Sequence, residues 1–395
     1  MKLFQKLLLG PAAIGLLSPI ALSASETNFK DTNDYSQSDI EVSIDSFKPL
    51  SLKNPLLAGG EGSNHSHSSD FDVDTFSSTT SASFTANFAA GSLDTGSDSK
   101  THVDFDYTIA LATSFTGNDS LDVEIEAGTG TNLTELDLHS DGADLAIGSI
   151  SYTKSLGEKL TVFVGDGAAG NSLYNTACVY SGVTNALDDC GNLNSAIDKE
   201  FGLAAGLSAD LGNGFLAAIG VETQNGGSTG IFTDQSADAF GGQLSYTGDN
   251  YGISLTWANI EDTGAQTEGV LDNDQGATQS TAINAYFAPD LPNFPSVSVG
   301  FESNHDDSAA LTDSNDESTH YFVGLQWDEL GNGSFGAAIG TKTPTAENGT
   351  AQVQYEAYYA YNYADGITIT PLFYSRENTG SQDDSGFGVK TTFEF

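Results

Sequence analysis

Residues 386–395 read Gly386-Phe-Gly-Val-Lys-Thr-Thr-Phe-Glu-Phe395. Phe387, Val389, Phe393 and Phe395 share one parity, and Gly388, Lys390, Thr392 and Glu394 share the other. Successive side chains of a strand point to opposite faces, so this stretch predicts a strand that is apolar on one face and polar on the other. It closes on an aromatic residue. As an open edge in water, such a strand would template aggregation. Paired with the first strand of a closed barrel, it leaves no edge.

The same alternation recurs back along the chain. Phe84, Ala86, Phe88 and Ala90 alternate with Ser83, Thr85 and Asn87. Val103, Phe105, Tyr107, Ile109, Leu111 and Phe115 oppose His102, Asp104, Asp106, Thr108 and Ser114. Leu121, Val123 and Ile125 then alternate with Asp122, Glu124 and Glu126. Similar segments lie at 144–154, 159–166, 200–210, 214–223, 237–247, 250–260, 280–288, 296–304, 318–328, 334–343, 351–362, 366–376 and 385–395. The total is roughly sixteen, an even number, each near the ~9–11 residues that cross a bilayer as a tilted strand. The connections alternate in length. Residues 117–119, 155–158, 211–213, 247–249 and 364–366 are short; 128–142, 167–199, 225–236 and 262–279 are long. Short turns on one rim and long loops on the other are the habit of outer-membrane barrels, whereas a soluble sandwich has no reason for it. The expected fold is therefore all-β: a 16-stranded antiparallel transmembrane β-barrel with long external loops and short periplasmic turns, spanning residues 75–395.

Composition agrees. A hydrophobic content of 38% is low for a helical membrane protein but suits a barrel whose strands turn half their side chains to water. The formal charge is −42, from 54 acids and 12 bases, and Arg376 is the one arginine. Nothing here neutralises phosphates, so nucleic acid is not an expected partner. The acid excess predicts a surface and lumen that repel anions, with halophilic solubility as the plainer contribution.

Residues 1–24 read as a signal peptide. Lys2 and Lys6 supply the positive region, 7–20 the apolar core, and Ser23, Ala24 and Ser25 the small residues of a cleavage site. No later stretch approaches the ~20 apolar residues of a membrane helix. Residues 25–74 are polar and without period, and read as a largely irregular periplasmic extension. Its His65 and His67 lack a third ligand at useful spacing, so a solvated linker is the reading.

Cys178 and Cys190 are the two cysteines, with no CxxC. In an exported protein they are expected to form one disulfide, two free thiols being the alternative. Both lie in 167–199, the longest connection. In general porins the third external loop folds into the barrel. Here that loop carries Tyr174, Tyr180, Asp188 and Asp189, and a cross-link would stiffen it into a fixed filter. A stapled external loop is the plainer alternative. Inward parity places Asp104, Asp106, Glu124 and Glu126 on early strands and Lys342, Arg376 and Lys390 on late ones, which predicts a charge-segregated lumen, acidic overall. Trp327 lies near a short turn at the predicted height of Phe393 and Phe395, and Tyr355, Tyr359, Tyr361 and Tyr363 share one outward face. Both suit interfacial aromatic belts.

Chemistry-bearing motifs are weak. Gly165-Asp-Gly-Ala-Ala-Gly170 matches GxGxxG, but no βαβ unit follows. There is neither HExxH nor GxSxG. His305 with Asp306 and Asp307 is the nearest approach to a hydrolase rim cluster, and the acid run 313–317 lacks the EF-hand pattern. No enzyme activity and no cofactor or metal are expected.

The opening Met1-Lys-Leu-Phe-Gln-Lys-Leu-Leu-Leu-Gly-Pro-Ala-Ala13 resembles cyanobacterial outer-membrane porins. So do Ser51-Leu-Lys-Asn-Pro-Leu-Leu-Ala-Gly-Gly-Glu-Gly62 and Thr80-Ser-Ala-Ser-Phe84. These belong to the carbohydrate-selective porin (OprB-like) family, also described as iron-uptake porins. The resemblance implies a trimeric porin of the cell outer membrane, passing carbohydrates, inorganic ions including iron, or both. It also implies contact with membrane lipid, and recognition of Phe395 by the barrel-insertion machinery. Two departures stand out. The S-layer-homology segment of those porins is too long for residues 25–74, and their arginine-lined sugar track has no counterpart in a chain with Arg376 alone. The expected function is thus passive diffusion of small hydrophilic solutes. An outer-membrane barrel hydrolase and a secreted β-rich adhesion protein are the alternatives. In a planar bilayer under a salt gradient, the reversal potential is expected to show cation preference; clear anion preference would refute the acidic lumen.

Overall fold

The computed structural model describes residues 79–94, 99–130, 133–136, 138–140, 142–185, 187–198, 202–224, 237–261, 277–307, 316–341, 343–346, 349–378 and 382–395. The expected signal peptide, the 25–74 extension with His65 and His67, Lys342 and residues 313–315 lie outside the described residues.

The strands are β1 Thr80–Asp94, β2 Ser99–Thr113, β3 Asp119–Gly128, β4 Gly142–Leu156, β5 Leu160–Asp166 and β6 Gly202–Gly212. Then come β7 Phe215–Gln224, β8 Ala237–Thr247, β9 Tyr251–Glu261, β10 Ala277–Phe287, β11 Ser296–Asp306 and β12 Glu317–Trp327. The last are β13 Gly333–Thr341, β14 Thr345–Ala346, β15 Val353–Ala364, β16 Ile367–Arg376 and β17 Asp384–Glu394. All pair antiparallel in one closed sheet of sixteen staves. The expected strand 334–343 corresponds to β13, and the short β14 that follows is an extra piece pairing with β12. Closure runs from Thr85↔Glu394 to Asp94↔Ser385. Phe84 and Phe395 exchange main-chain hydrogen bonds of 2.8 and 3.0 Å. Their rings stack at 5.3 Å, and Phe88 meets Phe393 edge-on at 6.0 Å.

The two faces are inverted relative to a water-soluble protein. On β9, Leu255 is 54% exposed while its neighbours Ser254 and Thr256 are 1% and 0% exposed. Ile219 and Phe88 lie bare on the exterior, and Glu302 and Asn284 are buried within. Burying polar groups while leaving large apolar ones outside reverses the usual preference and makes sense only where the outer medium is apolar.

Turn chemistry follows the sequence at tight ends. Between β6 and β7, Gly212, Asn213 and Gly214 have φ of 83°, 55° and 86°, the left-handed region open to Gly and Asn. The alternation of short and long connections has an exception. The turn 288–295 is eight residues long on the short-turn rim, whereas 95–98, on the other rim, is four. Pro289, Pro292 and Pro295 account for the long turn at 288–295, since proline cannot donate to a ladder and the strands stop on either side. Trp327 packs on Phe335 at 5.5 Å and its indole N–H donates to the Asn293 carbonyl of that turn, while Phe393 and Phe395 pack on β1. Tyr355, Tyr361 and Tyr363 are exposed on the outer face.

Leu255→Arg would place a guanidinium on the exterior band. We expect it to cost about 2–4 kcal/mol in refolding into phospholipid vesicles. Urea titration of folded barrel in vesicles measures this, and an unchanged midpoint would mean that the exterior does not face lipid.

Candidate functional site

The interior is organised by the place where β5 ends. The Gly165–Gly170 run lies there: β5 stops at Asp166 after seven residues, and at Gly167, φ 64°, the chain turns inward. A Cβ on Gly167 would strike the Gly148 carbonyl. The GxGxxG match is therefore the corner that launches a loop.

That loop touches the inner wall again and again. Gly170 N–H donates to Glu222 on β7 at 3.4 Å, and Asn175 N–H to Gln243 on β8 at 2.6 Å. Ser254 on β9 donates to the Thr176 carbonyl at 2.9 Å, and Val179 N–H donates to Ser298 on β11 at 3.1 Å. Asn284 on β10 donates to the Cys190 carbonyl at 2.5 Å, and Tyr358 on β15 to the Ser181 carbonyl. Contacts with the buried face of strands from β7 to β15 are possible only for a segment lying inside the barrel.

Two carboxylates carry most of the loop's charged hydrogen bonds. Glu302 on β11 accepts from Asn194 N–H at 3.1 Å, Ser195 N–H at 2.9 Å and the Ser195 hydroxyl at 2.7 Å. Glu356 on β15 accepts from the Tyr180 hydroxyl at 2.5 Å, Val183 N–H at 3.3 Å and the Thr184 hydroxyl. Both acceptors are buried, so each of these hydrogen bonds keeps a polar group from lying buried without a partner. Burial, and then the Glu356 carboxylate, push the Tyr180 hydroxyl far above the ordinary phenol range, so it remains a donor. Glycines in the wall leave room. A Cβ on Gly300 would collide with the Cys190 carbonyl, and one on Gly324 would stand 2.7 Å from the Tyr180 ring.

Cys178 and Cys190 are joined by a disulfide, Cα atoms 6.3 Å apart, closing the turn that carries Tyr180. Ala177 and Cys190 flank it with φ of 51° and 54°. This conformation costs a non-glycine residue about 1–2 kcal/mol. The hydrogen bonds around it and the cross-link hold it in place.

A second loop, between β3 and β4, also folds inward. Its Leu133 N–H donates to Asp104 at 2.9 Å and His139 N–H to Asp106 at 3.2 Å. His139 Nδ1 lies 3.3 Å from Glu126, and Leu133, Leu136 and Leu138 are buried around a 3-10 turn at Thr134–Leu136.

The expected site residues are distributed as follows. Asp104 and Asp106 point inward and are buried under the second loop; Glu126 holds its His139, and Glu124 accepts from Ser149 at 3.2 Å. Arg376 pairs with Glu135 of that loop and with Asp384, the latter at 2.6 Å. Lys390 is half-buried, between Ala89 and Thr370 in the ladder. Tyr174 is half-buried against Ile197, Ala239 and Ala258, and Asp188 and Asp189 are half-buried in the turn after Thr184. Sequence reasoning missed Glu222, Glu302, Glu356, Tyr358 and Glu135. Inward parity marks the wall residues as facing the interior, but nothing in the strand pattern distinguishes a side chain that meets water from one that meets a loop. His305 sits on the outer rim with Asp307 at 3.0 Å and Asp316 at 3.8 Å. Among the described residues no group of three His, Cys, Asp or Glu side chains is placed to hold a metal.

No protein-family model and no curated protein matches this chain. Solved structures do. OprB of Pseudomonas putida, at high pH, aligns with a TM-score of 0.59 at 11% identity, covering 80% of this chain and 94% of that one. The anion-selective porin from Comamonas acidovorans aligns at 0.59 and 10% identity over 80% and 99%. In-vitro folded OmpT of Vibrio cholerae, in its trimer form, aligns at 0.53 and 9% identity over 80% and 100%. At these identities the likeness is one of fold.

Glu356→Ala would orphan the buried donors of Tyr180 and Thr184, at about 1–3 kcal/mol each. Proteinase K digestion in detergent is expected to cut within 167–198 in the variant and not in the parent protein. Equal resistance would mean that this carboxylate does not hold the loop.

Proposed function

We propose that this protein is an outer-membrane porin, a water-filled passage for passive diffusion of small hydrophilic solutes. One observation carries the reading: an apolar exterior band encloses a polar interior into which a cross-linked loop is folded. Lipid outside and water inside account for both faces, and the loop acts as the sieve. Transport of this kind needs no chemical step and no cofactor.

The finer reading draws on composition, on inward charge and on resemblance. Carbohydrates and inorganic ions, iron included, are the solute classes implied by the OprB-like resemblance. Inward acids and the −42 formal charge favour cations and neutral solutes. A solved porin described as anion-selective shares the fold, which supports the view that side-chain charge, not architecture, sets selectivity. Asp188 and Asp189 on the third loop, with Glu124 and Lys390 on the wall, are the charges proposed to act on the passing solute. A homotrimer is proposed by analogy with the trimer form of the solved OmpT, and insertion through Phe395 by its place at the seam. A secreted adhesion protein is disfavoured by the bare apolar exterior.

Liposome swelling tests the reading. Vesicles containing the purified barrel are expected to admit sugars at rates that fall with molecular size and to exclude large oligosaccharides. Swelling no faster than in protein-free vesicles would overturn the porin function.

A further inference from the structure

Arg376, the chain's one arginine, stands at the end of β16 with a side chain only 17% exposed. Its guanidinium ion-pairs through Nη1 with Glu135, on the second loop, and through Nε with Asp384, on β17, at 2.6 Å. Those two acid side chains are 12% and 8% exposed. Glu135 is gripped from its other side too. Its carboxylate accepts from Gln354 at 3.4 Å, and its main-chain carbonyl accepts from Asn185 N–H of the third loop at 3.0 Å. Gln354 in turn donates to Thr184 of the third loop at 2.9 Å. One arginine therefore stands where the wall, the second loop and the third loop meet.

The two loops cover different stretches of the wall and meet at β15. The third loop's bonds go to strands between β7 and β15. The second loop's go to Asp104 and Asp106 on β2, Glu126 on β3, Gln354 on β15 and Arg376 on β16. Asp384 and Glu135 are like charges drawn together around one cation. Without it they repel across a poorly hydrated gap, and a buried partner left unpaired is strongly unfavourable. Glu135, on a loop, is the group free to leave.

We propose that Arg376 is a positioning residue: it latches the second loop across the interior, so that two loops locked to each other set the aperture, not the third loop alone. The aperture claim rests on the porin reading; the latch itself does not. A planar guanidinium reaching two carboxylates from different elements does what the compact lysine ammonium does poorly.

Two measurements on the full-length protein test this. In detergent, hydrogen–deuterium exchange of amides 133–140 is expected to speed up about tenfold or more in Arg376→Gln and in Glu135→Gln, with β1 amides unchanged. Arg376→Lys, which keeps the charge but loses the fork, should fall between them and the parent protein. In planar bilayers, single-channel conductance is expected to rise about 1.5-fold or more in both Gln variants. The double variant should add nothing to either single one, because both remove the same contact. Should Arg376→Gln fail to fold, as judged by heat-modifiable gel mobility, Glu135→Gln carries the test, since it leaves Arg376 and Asp384 paired. Unchanged exchange overturns the latch. Faster exchange without higher conductance overturns the claim that the second loop sets the aperture. A parent protein that forms no channels instead sinks the porin reading, and the exchange result still decides the latch.

Discussion

The seam between β1 and β17 is the interaction on which everything else depends. Ten residue pairs, from Thr85↔Glu394 to Asp94↔Ser385, join the last strand to the first. An open sheet of this length would present two rows of unmet N–H and C=O groups. Closure removes both edges and divides space into an inside and an outside. Only then does period-two alternation acquire meaning, because every second side chain is committed to a medium. Leu255 goes out; Ser254 and Thr256 go in.

Closure also creates a problem that the loops solve. Sixteen staves enclose more space than their own inward side chains fill, and that space is lined with carboxylates, amides and hydroxyls. Each buried acceptor needs a donor. Glu302 and Glu356 find theirs in the main chain and hydroxyls of the third loop, and Asp104 and Asp106 in the main chain of the second. The wall acids are thus not simply a charged lining. Several are structural acceptors that turn loops inward, and glycines such as Gly300 supply the clearance that lets the loop backbone approach. The loop corner at Gly167, the hollow at Gly300 and the cross-link at Cys178–Cys190 act on the same segment from three sides.

The interior differs in one further way from a uniformly acidic tube. The inward basic group Arg376 is taken up by Glu135 and Asp384, so its charge is spent on structure, while half-buried Lys390 stands lower on the next strand. The local sum around Arg376 stays negative. The second loop brings Glu135 across to β16, so an acid stands beside the base that parity places on the late strands.

Period-two alternation, turn residues and the aromatic terminus made the barrel legible in the chain, because each is a local property: the pleat, a positive φ at Asn213, a strand ending on Phe395. The strand limits came out close to those observed, and the departure at 288–295 arises where prolines interrupt pairing. Parity assigns facing directions to Asp104, Asp106, Glu124 and Glu126 from the sequence, and the structure buries Asp104 and Asp106. What no stretch of sequence contained was the destination of the loops. Glu222 in Val221-Glu-Thr223, Glu302 in Phe301-Glu-Ser303 and Glu356 in Tyr355-Glu-Ala357 look alike as inward acids. Each becomes a loop anchor only because a segment between 50 and 180 positions earlier in the chain arrives opposite it. The alternating chain by itself determined a closed sheet with unlike faces, because side-chain direction is set residue by residue. The tertiary structure alone decided which inward groups meet a loop instead of water, because that depends on partners brought together across the interior.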